Sequence, residues 1–188
     1  MIADGLFLTF EGIDGSGKST QAKMLADVLR DVGHEVVLTR EPGGSTGAEE
    51  IRKLVLEGDP DRWSAETEIL LFTAARRDHL ERTIEPALAA GKIVICDRFA
   101  DSTRMYQGLS RGNLRGIVDK LHILMIKREP DLTLLIDMDP ATGLSRALSR
   151  QTSEERFEEF GQDLQVKMRQ GFLDLAAQYS ERFRVING

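Results

Sequence analysis

Cysteine is almost absent from this chain. Cys96 is the only one in 188 residues, so no internal disulfide can form, and a reducing, cytoplasmic setting is expected. Long apolar runs are missing too: none approaches the ~20 residues of a membrane span. The N-terminus lacks a basic patch followed by a long apolar stretch, so neither a membrane partner nor a secretion signal is expected. Positive charge is in deficit, 25 Lys and Arg against 31 Asp and Glu, with a formal charge of −6. That balance argues against nucleic acid held by broad charge, although arginines can still gather at a phosphate site. His34, His79 and His122 lack metal-ligand spacing and read as ordinary surface or helix positions. No repeat or low-complexity linker divides the chain, and 1–188 reads as one domain.

What is present is more specific. Gly12-Ile13-Asp14-Gly15-Ser16-Gly17-Lys18-Ser19-Thr20 contains a complete G-x-x-x-x-G-K-[ST] phosphate loop. It follows a strand-like run, 6–10, and opens a helix-like one, 21–30. Its glycines allow backbone N–H groups to surround phosphate oxygens. Lys18 is expected on the β- and γ-phosphates of a nucleoside triphosphate, and the Ser19 hydroxyl in a Mg2+ shell. The following helix adds its positive N-terminal end.

Further strands are expected at 35–39, 92–96, 132–136 and 184–186. Helices are expected at about 48–56, 64–80, 86–91 and 157–179, after Asp139-Pro140, and after Asn113 as a cap. Gly58-Asp59-Pro60 should break the chain between two of them. Strands separated by helices imply a three-layer α/β fold, a parallel sheet flanked by helices on both faces. Ligands in such a sheet collect beyond the carboxyl ends of its strands. Cys96, within Ile93-Val94-Ile95-Cys96, should be buried packing.

Asp97 and Arg98 directly follow a buried strand. The carboxylate is placed to orient Mg2+-bound water or to hold the Lys18 and Ser19 region, and the guanidinium to clamp an acceptor phosphate. An ordinary strand-end salt bridge fits their spacing equally well. Phe72 and Arg76, four apart, share a helical face on which a ring could stack on a base and a guanidinium could meet its carbonyl edge. A core residue beside a surface residue gives the same pattern.

These residues together resemble the thymidylate kinase family. The resemblance rests on Phe10 to Thr20, Thr39-Arg40-Glu41-Pro42-Gly43-Gly44, Leu71-Phe72 with Arg76, Asp97 to Ser102, Tyr106-Gln107-Gly108 and Pro130 to Thr133, in that order over nearly the whole chain. It implies a P-loop NTPase fold, a homodimer, and transfer of the ATP γ-phosphoryl group to dTMP. It also implies that Phe72 stacks on thymine, that Arg76 meets its carbonyl edge, and that Ser102 and Gln107 define the base pocket. Tyr106 would lie below the deoxyribose and crowd a 2′-hydroxyl. Arg98 would bind the dTMP phosphate beside the Arg40-Glu41-Pro42-Gly43 loop, with Asp14 near the acceptor sugar and the reacting phosphates. Ser19 and Asp97 would serve Mg2+.

Some family members carry an arginine inside the phosphate loop; others supply basic residues from a mobile lid. No arginine stands between Asp14 and Gly17 here, so transition-state charge is expected from the lid-like segment at about 146–157, from Arg150 and Arg156. Arg146 is read as bracing the helix below. Phe99 replaces a tyrosine usual in the family, Arg104 is expected on an exposed helix face, and relatives commonly continue into a further helix. Two other readings stay open: a different nucleoside or nucleoside-monophosphate kinase, and a nucleotide-binding switch, which lacks support because no N-K-x-D guanine sequence is present.

Overall fold

The structure, a computed structural model, describes residues 5–59, 62–109, 112–149 and 161–188. Five strands form one parallel sheet in the order β2-β3-β1-β4-β5: β1 Leu6–Glu11, β2 Val36–Arg40, β3 Ile93–Asp97, β4 Leu132–Asp137 and β5 Phe183–Asn187. Helices α1 Lys18–Asp31, α2 Thr46–Leu56, α3 Ala65–His79, α4 Glu85–Ala89, α5 Ala100–Tyr106, α6 Arg115–Leu121, α7 Pro140–Leu148 and α8 Gly161–Gln178 connect them.

Side chains alternate across the sheet, and both faces are apolar. Phe7, Val94 and Cys96 pack with Leu80, Ile84 and Leu88 on one face; Leu8, Phe10, Ile93 and Ile95 pack with Ala22 and Ala26 of α1 on the other. A third cluster joins Leu135 and Met105 to Met168, Phe172 and Leu175 of α8. The expected layering is present, with Cys96 buried as anticipated.

Three differences from the sequence reading have local causes. α3 does not stop before Pro86 but passes through a π-helical turn, Leu80–Ile84, into α4. Pro86 has no N–H for the i−4 carbonyl, and the wider turn absorbs that loss. Asn113 does not cap α6; Leu114 holds the cap position, without a side-chain bond. Of α5 only a helical position at Arg104 was expected; its bounds were not, because Asp101-Ser102-Thr103-Arg104 carries no apolar periodicity. Pro60, Arg150, Arg156, the lid beyond 149 and the expected helical start at 157–160 lie outside the described residues.

The register Phe10↔Asp97 and Arg40↔Asp97 brings three carboxyl ends level. The phosphate loop, the loop at 41–45 and the Asp97-Arg98-Phe99 turn leave the sheet side by side.

Candidate active site

The phosphate loop runs from β1 into α1. Gly17 has φ 94° at the helix N-cap, so Lys18 and Ser19 belong to the first turn itself. Gly15 has φ 76°, and a side chain there would run into the carbonyl of Gly143 in α7. A non-glycine residue in this region costs roughly 1–2 kcal/mol. The first turn of α1 has no acidic residue and no side-chain cap, which leaves its leading N–H groups available to an anion. Nζ of Lys18 donates to Ile13 O at 2.7 Å. Burial, then repulsion from Arg98, pulls its pKa down to about 8.

The hydroxyl of Ser19 donates to Oδ2 of Asp97. Oδ1 of Asp97 is buried with no hydrogen-bond partner among the described residues. A hydroxyl and a carboxylate with spare lone pairs are the hard oxygen donors that Mg2+ takes, so these residues fit that ion. No cluster of three or more His, Cys, Asp or Glu among the described residues forms an all-protein cage.

Beside the loop lies a cavity lined by Asp14, Glu41, Pro42, Phe72, Arg76, Arg98, Ser102, Tyr106 and Gln107, with Arg52, Leu56, Phe99 and Thr103. Every acceptor residue expected from the sequence lines it except Arg40, whose exposed guanidinium turns to Glu49 at 3.4 Å. Arg52, Leu56 and Thr103 were not anticipated. Arg52 and Leu56 are four apart on α2, a pairing the sequence could have disclosed; Thr103 sits on α5, whose bounds were not anticipated.

Arg98 joins the two halves. Its backbone, at φ 69°, is left-handed, and its N–H donates to Phe10 O at 2.9 Å. Nη2 pairs with Asp14, and Nη1 donates to Ser102 Oγ at 3.0 Å and Gly12 O at 3.3 Å. The Tyr106 hydroxyl donates to the other oxygen of Asp14 at 2.6 Å. Burial alone would raise the Asp14 pKa, but the charges of Arg98 and Lys18 and hydrogen bonds from Tyr106 and Gln165 hold it below 3.8. Asp14 is an ionised acceptor that organises donors. Gln165, reaching this carboxylate from α8, was also missed.

The short polar helix α5 forms because its partners come from elsewhere. Glu11, at the end of β1, accepts Phe99 N at 2.8 Å, Ser102 N at 3.2 Å and Ser102 Oγ at 2.6 Å. It caps a helix from another element. On the opposite side Arg104 is buried, not exposed as expected, because it pairs with Asp101 at 2.8 Å, Asp119 at 2.9 Å and Glu129 at 2.6 Å. Arg182 joins Asp101 at 2.7 Å. Such an ion cluster is stable in the interior only because nearly every charge has a partner.

Burial, then the charge of Asp101, pushes the Glu11 pKa from 4.5 up to about 7. Between those values the folded chain keeps a proton that the unfolded chain releases. The stability this supplies is full below 4.5 and is lost as pH rises through 7. In urea unfolding, Glu11→Gln should therefore gain on the parent protein from pH 5.5 to 7.5, at up to about 1.4 kcal/mol per pH unit. A constant difference across that range would contradict the raised pKa.

A second cavity borders the phosphate loop on its other side, lined by Gly15, Ser16, Gly17, Thr20, Gln21, Ile136, Met138, Arg146, Ile186, Asn187 and Gly188. Arg146 lines this space, with Nη1 3.4 Å from Met138 Sδ.

Comparison with known proteins finds relatives over nearly the whole chain. The family described as thymidylate kinase matches residues 10–188. The thymidylate kinase of Ruegeria pomeroyi is 80% identical over 188 residues, which cover 100% of this chain and 89% of that protein. That of Dinoroseobacter shibae is 65% identical, with 100% and 91% covered. A solved structure of thymidylate kinase from Ehrlichia chaffeensis superposes with a TM-score of 0.80 at 38% identity, covering 97% of this chain and 93% of that one.

Proposed function

The chain belongs to the thymidylate kinase family, and from that premise we propose how its residues divide the work of moving the ATP γ-phosphoryl group to dTMP, which yields dTDP and ADP. The observation that carries the division is the Asp14–Arg98 pair. It stands where the phosphate loop borders the cavity lined by Phe72, Arg76 and Tyr106. A donor in the loop and an acceptor in the cavity then meet at one corner.

Two phosphate-bearing substrates repel each other, so bringing them together is the main task. Lys18 and the first N–H groups of α1 take the donor phosphates. Arg98 takes the acceptor phosphate, its planar fork already oriented by Asp14, Ser102 and Gly12 O. The acceptor oxygen is ionised before it attacks and needs no strong base. Asp14 accordingly acts through placement. Phe72 supplies a face for the base, Arg76 its hydrogen-bonding edge, and Tyr106 floors the sugar, with Glu41, Pro42, Ser102 and Gln107 completing the acceptor wall. Arg40 contributes through the backbone of its loop. Ser19 and Asp97 would hold Mg2+, which when bound offsets charge on the β- and γ-phosphates. The cavity containing Arg146 suits the donor nucleoside. Arg150 and Arg156 are assigned to close over ATP from the sequence pattern alone.

We assign 1–188 to one kinase domain acting in the cytoplasm and paired as a homodimer. Support for the pairing is an exposed apolar face, Leu70 on α3 with Ile117, Ile123, Leu124 and Met125 around α6 and the π-helical turn after it. Arg77 of α3 donates to Met125 O at 2.9 Å, so these segments adjoin. Sedimentation at micromolar protein should return twice the chain mass, and a monomer mass would remove this assignment.

The acceptor assignment is tested by ATP- and Mg2+-dependent turnover of dTMP, dUMP, UMP, dCMP and AMP. Turnover should be highest with dTMP. dUMP should trail by about 10- to 100-fold, since one pocket methyl carries only ~1–3 kcal/mol. UMP should fall below dUMP because of Tyr106. Preferential phosphorylation of AMP would overturn the acceptor assignment while leaving the phosphate loop intact.

A further inference from the structure

Behind Arg76 lies a buried imidazole that none of the steps above uses. His79 closes α3 three residues after Arg76, and its ring is wholly enclosed. Nδ1 lies 3.2 Å from Oε1 of Glu41, and Nε2 lies 2.7 Å from Oγ1 of Thr39. The other oxygen of Glu41 accepts Nε of Arg76 at 2.7 Å, and Nη2 of Arg76 donates to Thr103 Oγ1 at 3.0 Å. A continuous chain therefore runs from the end of β2 through His79 and Glu41 to the guanidinium on the cavity wall. Gly44 packs directly on it: a side chain there would strike both the His79 ring and the Thr39 hydroxyl.

The contact between Arg76 and Glu41 uses one nitrogen and one oxygen. Nη2, which in a bidentate pair would reach the second carboxylate oxygen, is engaged by Thr103 instead. A single-point contact leaves the carboxylate free to rotate about it. The contact with His79 at Oε1 removes that freedom. Glu41, ion-paired with Arg76, can only accept, so Nδ1 must carry the proton. In the neutral ring Nε2 then holds a lone pair, and the Thr39 hydroxyl is the donor that meets it. Glu41 thus selects the tautomer, and the Thr39 hydroxyl, able to donate or accept, satisfies the other ring nitrogen.

We propose that His79 is a positioning residue for acceptor recognition: its Nδ1–H locks the carboxylate of Glu41, and that carboxylate sets the plane in which Arg76 meets the base of the nucleoside monophosphate. The proposal rests on the reading that Arg76 touches the acceptor base. Its consequence is selective. Loss of the lock weakens acceptor binding and discrimination between a base carbonyl and an amino group, while the donor side is untouched.

The test uses two amides of different reach. The side-chain NH2 of Asn can occupy the position of Nδ1, whereas that of Gln reaches the position of Nε2. His79→Gln should raise KM for dTMP about tenfold, the size of one lost hydrogen bond to a charged group. The same variant should narrow the preference for dTMP over dCMP and leave KM for ATP unchanged. His79→Asn should restore dTMP KM to within about threefold of the parent, with kcat unchanged in both, the signature of lost ground-state binding. Equal behaviour of the two variants, or parallel loss on the ATP side, would overturn the proposal and reduce His79 to packing. If neither variant folds, Thr39→Val decides: a rise of about threefold in dTMP KM alone supports the lock, and no rise overturns it. Arg76→Ala separates the underlying reading, because an unchanged dTMP KM in that variant removes Arg76 from the acceptor site whatever His79 does.

Discussion

Lys18→Met should lower kcat by about 10³-fold while dTMP binding, measured by calorimetry, stays within about twofold. In the structure the ammonium folds back on Ile13 O and is screened from solvent. Burial and the nearby Arg98 already weaken its hold on the proton, so the cation waits in an unfavourable setting that triphosphate oxygens relieve. Attraction that grows as charge spreads over the transferred group acts on the rate and only weakly on the acceptor. Arginine should not rescue, because the bulkier fork does not fit the space one ammonium occupies between Ile13 O and Ser16 Oγ. A Lys18→Met enzyme that kept a tenth of parental turnover would remove Lys18 from the reacting phosphates.

Arg98→Met should cost about 10²- to 10³-fold in kcat/KM for dTMP, with KM for ATP changed less than about threefold. Two losses combine. The acceptor phosphate loses its fork, and Asp14 loses the partner that keeps its carboxylate ionised in a mostly buried setting. Arg98→Lys should recover only part of this, since a point charge cannot serve Asp14, Ser102 and Gly12 O together. The left-handed backbone at Arg98 adds a control. Arg98→Gly should relieve that strain and raise thermal stability relative to Arg98→Met, yet be no more active. Activity in Arg98→Gly close to the parent would show that the strained backbone, not the guanidinium, was the useful feature.

Much of the candidate site was legible because its signals are local. The phosphate loop is contiguous, Phe72 and Arg76 are one helical turn apart, and Asp97-Arg98 ends a plainly apolar strand. The layered fold followed from alternation of strands and helices. What stayed hidden depends on residues distant in sequence. Glu11 caps α5 from 88 and 91 positions away, and α5 itself has no apolar stripe to announce it. Arg104 looked like a surface charge because its partners, Asp119 and Glu129, lie 15 and 25 residues downstream. His79 read as an ordinary helix position because Thr39 and Glu41 belong to a different strand and its loop.

The polar helix α5 has one further consequence, for inheritance. It brings Ser102, Thr103 and Tyr106 to the cavity beside the phosphate loop, yet apart from its internal Asp101–Arg104 pair most of what holds it in place comes from other elements. Glu11 secures one end, Asp119, Glu129 and Arg182 anchor its outer face, and Met168 and Phe172 pack beneath Met105. Exchange of α5 alone between two distant relatives would strand buried charges on both sides of the graft. Recombination within the chain meets the same obstacle, because a crossover anywhere between Glu11 and Arg182 parts members of this set. Acceptor choice in this scaffold can drift by single substitutions at the cavity surface, but it cannot be shuffled as a cassette.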